Sequence, residues 1–178
     1  MKKLFILLVL IVGVAFLFIN FTSKNSYTNT KYGFGFTDTS GWEQLPPQIG
    51  EGVTFKRKMP NGLDSYTYLL ILPLDDNYKK YSDIYMTKDF TEQYSTLCKN
   101  NADEKGLIYK TIQRITINNA NAYRCDSETY NSRNDLIIFN QYIVTTKKAN
   151  IIITALYNAK ETEEKNKTDQ IINSLKVN

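Results

Sequence analysis

The first twenty residues constrain this chain most. Met1-Lys2-Lys3 is followed by an uncharged apolar run from Leu4 to Ile19, which reaches Phe21 across Asn20. A run with no polar side has no amphipathic face, so it does not read as a surface helix of a globular domain. The stretch from Leu4 to Phe21 would reach roughly 27 Å as a helix against a hydrocarbon core of about 30 Å, whereas a secretory core usually spans about 7 to 15 residues. No small-residue cleavage pair follows in Asn20-Phe21-Thr22-Ser23-Lys24, and no cysteine stands there to accept a lipid. The expectation is an uncleaved signal anchor over residues 1–21, with a cleaved signal peptide as the alternative. Lys2 and Lys3 hold the N-terminus in the cytoplasm, so in either case the rest of the chain faces the extracytoplasmic side.

Of the 178 residues, about 155 then remain, the size of one domain that folds without a metal or a disulfide. Composition narrows its chemistry. With no histidine, Ser-His-Asp and Cys-His nucleophiles, histidine zinc or haem ligation and imidazole proton shuttles are excluded. Two cysteines are too few for a four-cysteine zinc site or an iron–sulfur cluster. The formal charge is +4, of which Lys2 and Lys3 supply two. So small an excess, carried by four arginines among 22 basic residues, argues against nucleic acid. Abundant Lys, Asn, Ile, Tyr and Phe indicate the coding bias of a low-GC bacterial genome.

In an oxidising compartment an even cysteine pair is more often bridged than free. A Cys98–Cys125 disulfide would close a loop of about 28 residues, contributing roughly 3–4 kcal/mol by chain entropy. The other reading is two buried thiols that never meet. Cys-x-x-Cys is absent, which argues against a redox-active dithiol.

Residues 22–31 are polar and rich in Ser, Thr and Asn, as in a linker, and residues 32–178 form the domain. Period-2 patterns dominate it: Phe34 and Phe36, then Val53, Phe55 and Arg57 opposing Thr54, Lys56 and Lys58. Tyr66 to Leu74 is apolar on both faces, as a central strand should be, with Pro73 ending its pairing. Phe90, Tyr94, Leu97 and Cys98 form one helical stripe, with Thr87 as N-cap and Asn100-Asn101 as the stop. Leu107 to Ile117 and Ala120 to Tyr130 make a hairpin through Asn118-Asn119. Leu136 to Thr146 and Asn150 to Tyr157 make another around Lys147-Lys148. Lys160 to Lys176 reads as a closing helix with Thr168, Ile171, Ile172 and Leu175 inward and acidic residues at its positive end. Hairpins in place of βαβ units give an α+β domain with an antiparallel sheet flanked by helices, preceded by the N-terminal hydrophobic helix.

The run Tyr32-Gly33-Phe34-Gly35-Phe36 with Gly41-Trp42 resembles the opening strand of the PsbP-like superfamily. Ile117 to Tyr123 resembles its second hairpin, and Thr168 to Leu175 its closing helix. The resemblance covers about residues 31 to 176. Thr39-Ser40 replaces the usual proline before the tryptophan, and the lipobox cysteine is missing. The resemblance implies an α-β-α sandwich and a mostly non-catalytic, partner-binding role, and it carries over no catalytic residue.

Gly33-x-Gly35 lacks a third glycine and opens a strand, so it does not read as a nucleotide loop. Trp42 reads first as a core plug and second as a stacking platform. Lys56 and Lys58 share one strand face, suited to an acidic partner or a solvated edge. Asp75-Asp76-Asn77 reads as a turn and lacks the alternation of a calcium loop. Asp38 with Glu43, and Asp126 with Glu128, are the carboxylate pairs available to hydrolysis. Strand tyrosines such as Tyr66 and Tyr68 suit a binding face, with strand propensity and coding bias as the plainer account. The candidate partner-binding positions are thus Trp42, Lys56, Lys58, Tyr66 and Tyr68, with no catalytic residue, metal or cofactor. The functional expectation is a membrane-anchored or secreted extracytoplasmic accessory domain that binds a protein. The alternative is a small carboxylate-dependent hydrolase or a ligand-sequestering protein.

Overall fold

The alternating runs become strands joined as neighbours, because a period-2 segment buries its apolar side only by pairing within a sheet. The computed structural model describes residues 25–46, 52–58, 66–73 and 88–178. Seven antiparallel strands stand in the order β3 (Glu43–Leu45), β4 (Val53–Lys58), β5 (Tyr66–Pro73), β9 (Asn150–Asn158), β8 (Leu136–Thr145), β7 (Ala120–Tyr130) and β6 (Ile108–Ile117). A second sheet sets β2 (Phe34–Phe36) between β1 (Tyr27–Asn29) and β10 (Leu175–Val177). The described helices are α1 (Lys88–Glu104) and α2 (Thr162–Asn173). The apolar run at residues 1–21 lies outside the described residues. Among those described, no helix is long and apolar enough to cross a membrane.

Register sorts the long strands into two faces. On one, Val53, Ile71, Ile153 and Tyr142 stand in a cross-strand row, with Ala122, Val144 and Ile151 in another. Ile171 and Ile172 of α2 and Phe34, Phe36 and Leu175 of the small sheet pack onto this face to form the main core. Phe34, Phe55, Ile151, Ile153 and Leu175 are fully buried, each contributing about 1.5–3 kcal/mol by leaving water. The opposite face is covered at β6 and β7 by α1, where Tyr94 and Cys98 pack on Tyr123, Cys125 and Ile143. Helices therefore lie on both sides of an antiparallel sheet.

Most elements fall where the pattern puts them, and four differ. Helix α1 runs past Asn100-Asn101 to Glu104, because its stop is Gly106: at φ 64° it closes the helix with Leu107 N–H bonded to Ala102 O and Gly106 N–H to Asp103 O, the Schellman arrangement. The closing helix ends at Asn173, and Leu175 to Val177 leave it to pair with β2. Leu175 faces the core in either conformation, so the inward stripe could not tell helix from strand. Phe34 and Phe36 belong to the small sheet, not the large one. Tyr27 to Asn29, inside the expected linker, form β1, and the Tyr27 ring lies 5.9 Å from that of Phe34 and 5.8 Å from that of Phe55.

Candidate interaction face

The two ends of the large sheet are built differently. At the end holding the Asn118-Asn119 turn, side chains lock the small sheet in place. Asn118 Nδ2 donates to Leu175 O at 2.9 Å and Thr146 Oγ1 to Tyr32 O at 2.9 Å. Both turn asparagines have positive φ, 46° and 68°, as a two-residue hairpin with the twist of its strands requires.

The other end gathers the last residues of β4 and β7 and the first of β5, β6 and β8. It carries the two exposed large hydrophobic residues identified among the described positions, Ile108 at 48% and Tyr130 at 54%. Here Lys56 stands opposite Tyr68 and Lys58 opposite Tyr66. The Lys56 row continues through Leu156, Phe139 and Ser127 to Tyr109, all on the α1 side. Leu156 and Phe139 are half-buried, and Lys105 Nζ lies 5.4 Å from the centre of the Phe139 ring. Four of the five candidate positions are thus neighbours on one face. Trp42 is not with them: it packs half-buried against the main core on the other side, as a plug.

Arg57, between the two lysines, has a different task. Its Nη1 meets Glu164 Oε1 at 2.8 Å, and its Nη2 holds Glu163. Glu164 is fully buried, so this pair ties α2 to β4. The link spans 107 positions, and no local signal in the sequence announces it.

Each carboxylate of the two candidate pairs has a basic or hydrogen-bonding neighbour. Asp126 Oδ1 accepts from Arg124 Nε at 2.6 Å, and Glu128 Oε1 meets Lys110 Nζ at 2.6 Å. Asp38 accepts from the Ser40 amide and hydroxyl, which hold its carboxyl below the usual range, and from Gln170 Nε2. Glu43 lies opposite Lys56 across the β3–β4 ladder. A polar cluster on the α2 side places the Arg124 guanidinium 5.9 Å from the centre of the Tyr142 ring, and Asn140 Nδ2 donates to Tyr157 Oη at 3.3 Å. Burial pushes the Tyr142 phenol up to about 12. Among the described residues no group of three Cys, Asp or Glu could hold a metal, and Asp75-Asp76-Asn77 lies outside them.

Cys98 and Cys125 do meet. Both are buried, at 2% and 5% exposure, and face each other as thiols, near but short of bonding distance. The two side chains share a hydrogen bond. That bond, with burial, raises Cys98, while the same bond lowers Cys125.

No family model matches the sequence, and none of the curated proteins does. Among solved structures, cyanobacterial PsbP (CyanoP) from Synechocystis sp. PCC 6803 aligns at TM-score 0.55 and 14% identity, over 86% of this chain and 91% of that one. LpqN, described as involved in cell envelope biogenesis of Mycobacterium tuberculosis, aligns at TM-score 0.56 and 12% identity, over 85% and 88%. At such identities the likeness speaks for the backbone alone, and it agrees with the antiparallel sheet between helices: the chain has the PsbP-like fold.

Proposed function

We propose that this chain is an extracytoplasmic accessory domain, tethered through residues 1–21, that works by binding a protein partner and carries out no catalysis. The observation that carries the reading is the convergence of Lys56, Lys58, Tyr66 and Tyr68 on the α1 face of one sheet end, with half-buried Leu156 and Phe139 in the same row. Aromatic and aliphatic groups beside lysines suit a partner surface that is apolar at its centre and acidic at its edge. The PsbP-like fold and the envelope role printed for LpqN support the same placement. The ion-paired state of Asp126 and Glu128 speaks against a hydrolase built on them.

The test is site-specific photo-crosslinking in intact cells, with a photoreactive phenylalanine at Lys56 or Phe139 and a control at exposed Thr28 in the small sheet. The reading expects one discrete adduct from the first two positions and none from the control. Equal adducts at all three, or adducts from Thr28 alone, would refute it.

A further inference from the structure

Among the described residues, helix α1 meets the sheet through a cluster at its middle and C-terminal half. Tyr94 and Cys98 pack on Tyr123 and Cys125, Ala102 is buried, and Ser95 Oγ lies 3.3 Å from Tyr109 Oη. Beside these contacts a hollow is lined by Cys98, Asn101, Ala102, Cys125, Ser127 and Phe139, among others. It has room for about one water. The chain's two cysteines therefore stand together at the seam between α1 and β7, with free space next to the sulfurs.

We infer that Cys98 and Cys125 form a disulfide that staples α1 to β7 once the domain meets an oxidant. The space beside the thiols lets their side chains turn without displacing packed neighbours, and a bridge needs the sulfurs to approach from contact to bonding distance. The reaction is thiol–disulfide exchange with an external disulfide such as oxidised glutathione or a disulfide oxidase. Either cysteine can attack first as its thiolate, Cys125 for instance. Its sulfur bonds to one sulfur of the external disulfide, whose S–S bond breaks and releases a thiolate. Cys98 then loses its proton and attacks Cys125 of the mixed disulfide, expelling the second external thiolate. The protein loses two electrons and two protons, and the external disulfide leaves as two thiols. Both cysteines are buried, so the exchange runs while α1 is lifted or before it docks.

The bridge differs from the binding role: it fixes the helix beside the candidate face whether or not any partner exists. The experiment incubates the full chain in detergent micelles with oxidised glutathione, both folded and during refolding from urea. The protein is then alkylated without reduction and weighed, and its thermal midpoint measured. The inference expects an unalkylated monomer lighter by two hydrogens, with a midpoint raised on the order of 10 °C. Cys98→Ser and Cys125→Ser should each lose both effects. Two alkylated cysteines after refolding in oxidised glutathione, a glutathione adduct that never resolves, a disulfide-linked dimer, or a bridged monomer that melts lower would each overturn it.

Discussion

Replacing Arg57 by alanine would leave the Glu164 carboxylate in the protein interior without its cation. Glu164 is 0% exposed and the Arg57 side chain 14% exposed, with 2.8 Å between the charged atoms, so little solvent screens the pair. Breaking a buried pair by removing one partner typically costs about 3–5 kcal/mol, because the charge left behind stays desolvated. The Arg57–Glu163 contact adds little, since Glu163 is 55% exposed and surface pairs contribute about 0–1 kcal/mol. For a domain this size about 2–4 °C accompanies each kcal/mol, so Arg57→Ala should lower the thermal midpoint by roughly 6–20 °C. Glu163→Ala should lower it by only a few degrees. The doubly apolar variant Arg57→Met with Glu164→Leu should recover most of the loss, because no charge is then stranded. Thermal unfolding of the full chain in micelles, followed by circular dichroism at neutral pH, measures all of these. An Arg57→Ala shift under about 2 °C, or a double variant as unstable as the single one, would refute the reasoning.

Three further outcomes follow from single sites. In the folded state Tyr142 keeps its proton up to about 12, against 10 for an ordinary phenol. The unfolded chain ionises first, so this contribution is intact below pH 10 and falls by roughly 2–3 kcal/mol as pH climbs toward 12. Tyr142→Phe should flatten that part of the alkaline stability profile, and identical slopes for the two proteins would contradict it. A methyl group at Gly35 would sit 2.5 Å from the Tyr27 carbonyl, so Gly35→Ala should push β1 off β2 and speed amide exchange of the strand, whereas unchanged protection would count against this packing. At Gly106 nothing stands within 4 Å of an added methyl. The cost there is that of a left-handed residue alone, roughly 1–2 kcal/mol in chemical denaturation, and a neutral Gly106→Ala would discredit the cap.

Much of the sheet was legible in the sequence, because hairpins are local. Ala120 to Tyr130 alternates on either side of Ala122-Tyr123, and Asn118-Asn119 marks the turn before it in a form few other dipeptides supply. Signals that two structures share were not decisive: an inward Leu175 suits a helix or a strand, and only its pairing with β2 separates them. Gly106 was readable as a stop but lay behind two asparagines that also end helices. Long-range partners left no trace, so Arg57 looked like the middle of a basic run although its cation is spent on Glu163 and Glu164. The candidate face was half legible. Strand alternation puts Lys56 and Lys58 together, but only the register of β4 on β5 sets Tyr68 and Tyr66 opposite them, and only the pairing of β5 with β9 and β8 brings Leu156 and Phe139 into the same row.

The central proposal is that the apolar leader delivers the domain to the far side of the membrane, and protease added to spheroplasts tests it most directly. The account predicts that the domain is digested while the membrane is intact, leaving a membrane-embedded fragment that carries Lys2 and Lys3. A domain that survives until the membrane is lysed, while a known external protein is cut, would contradict it.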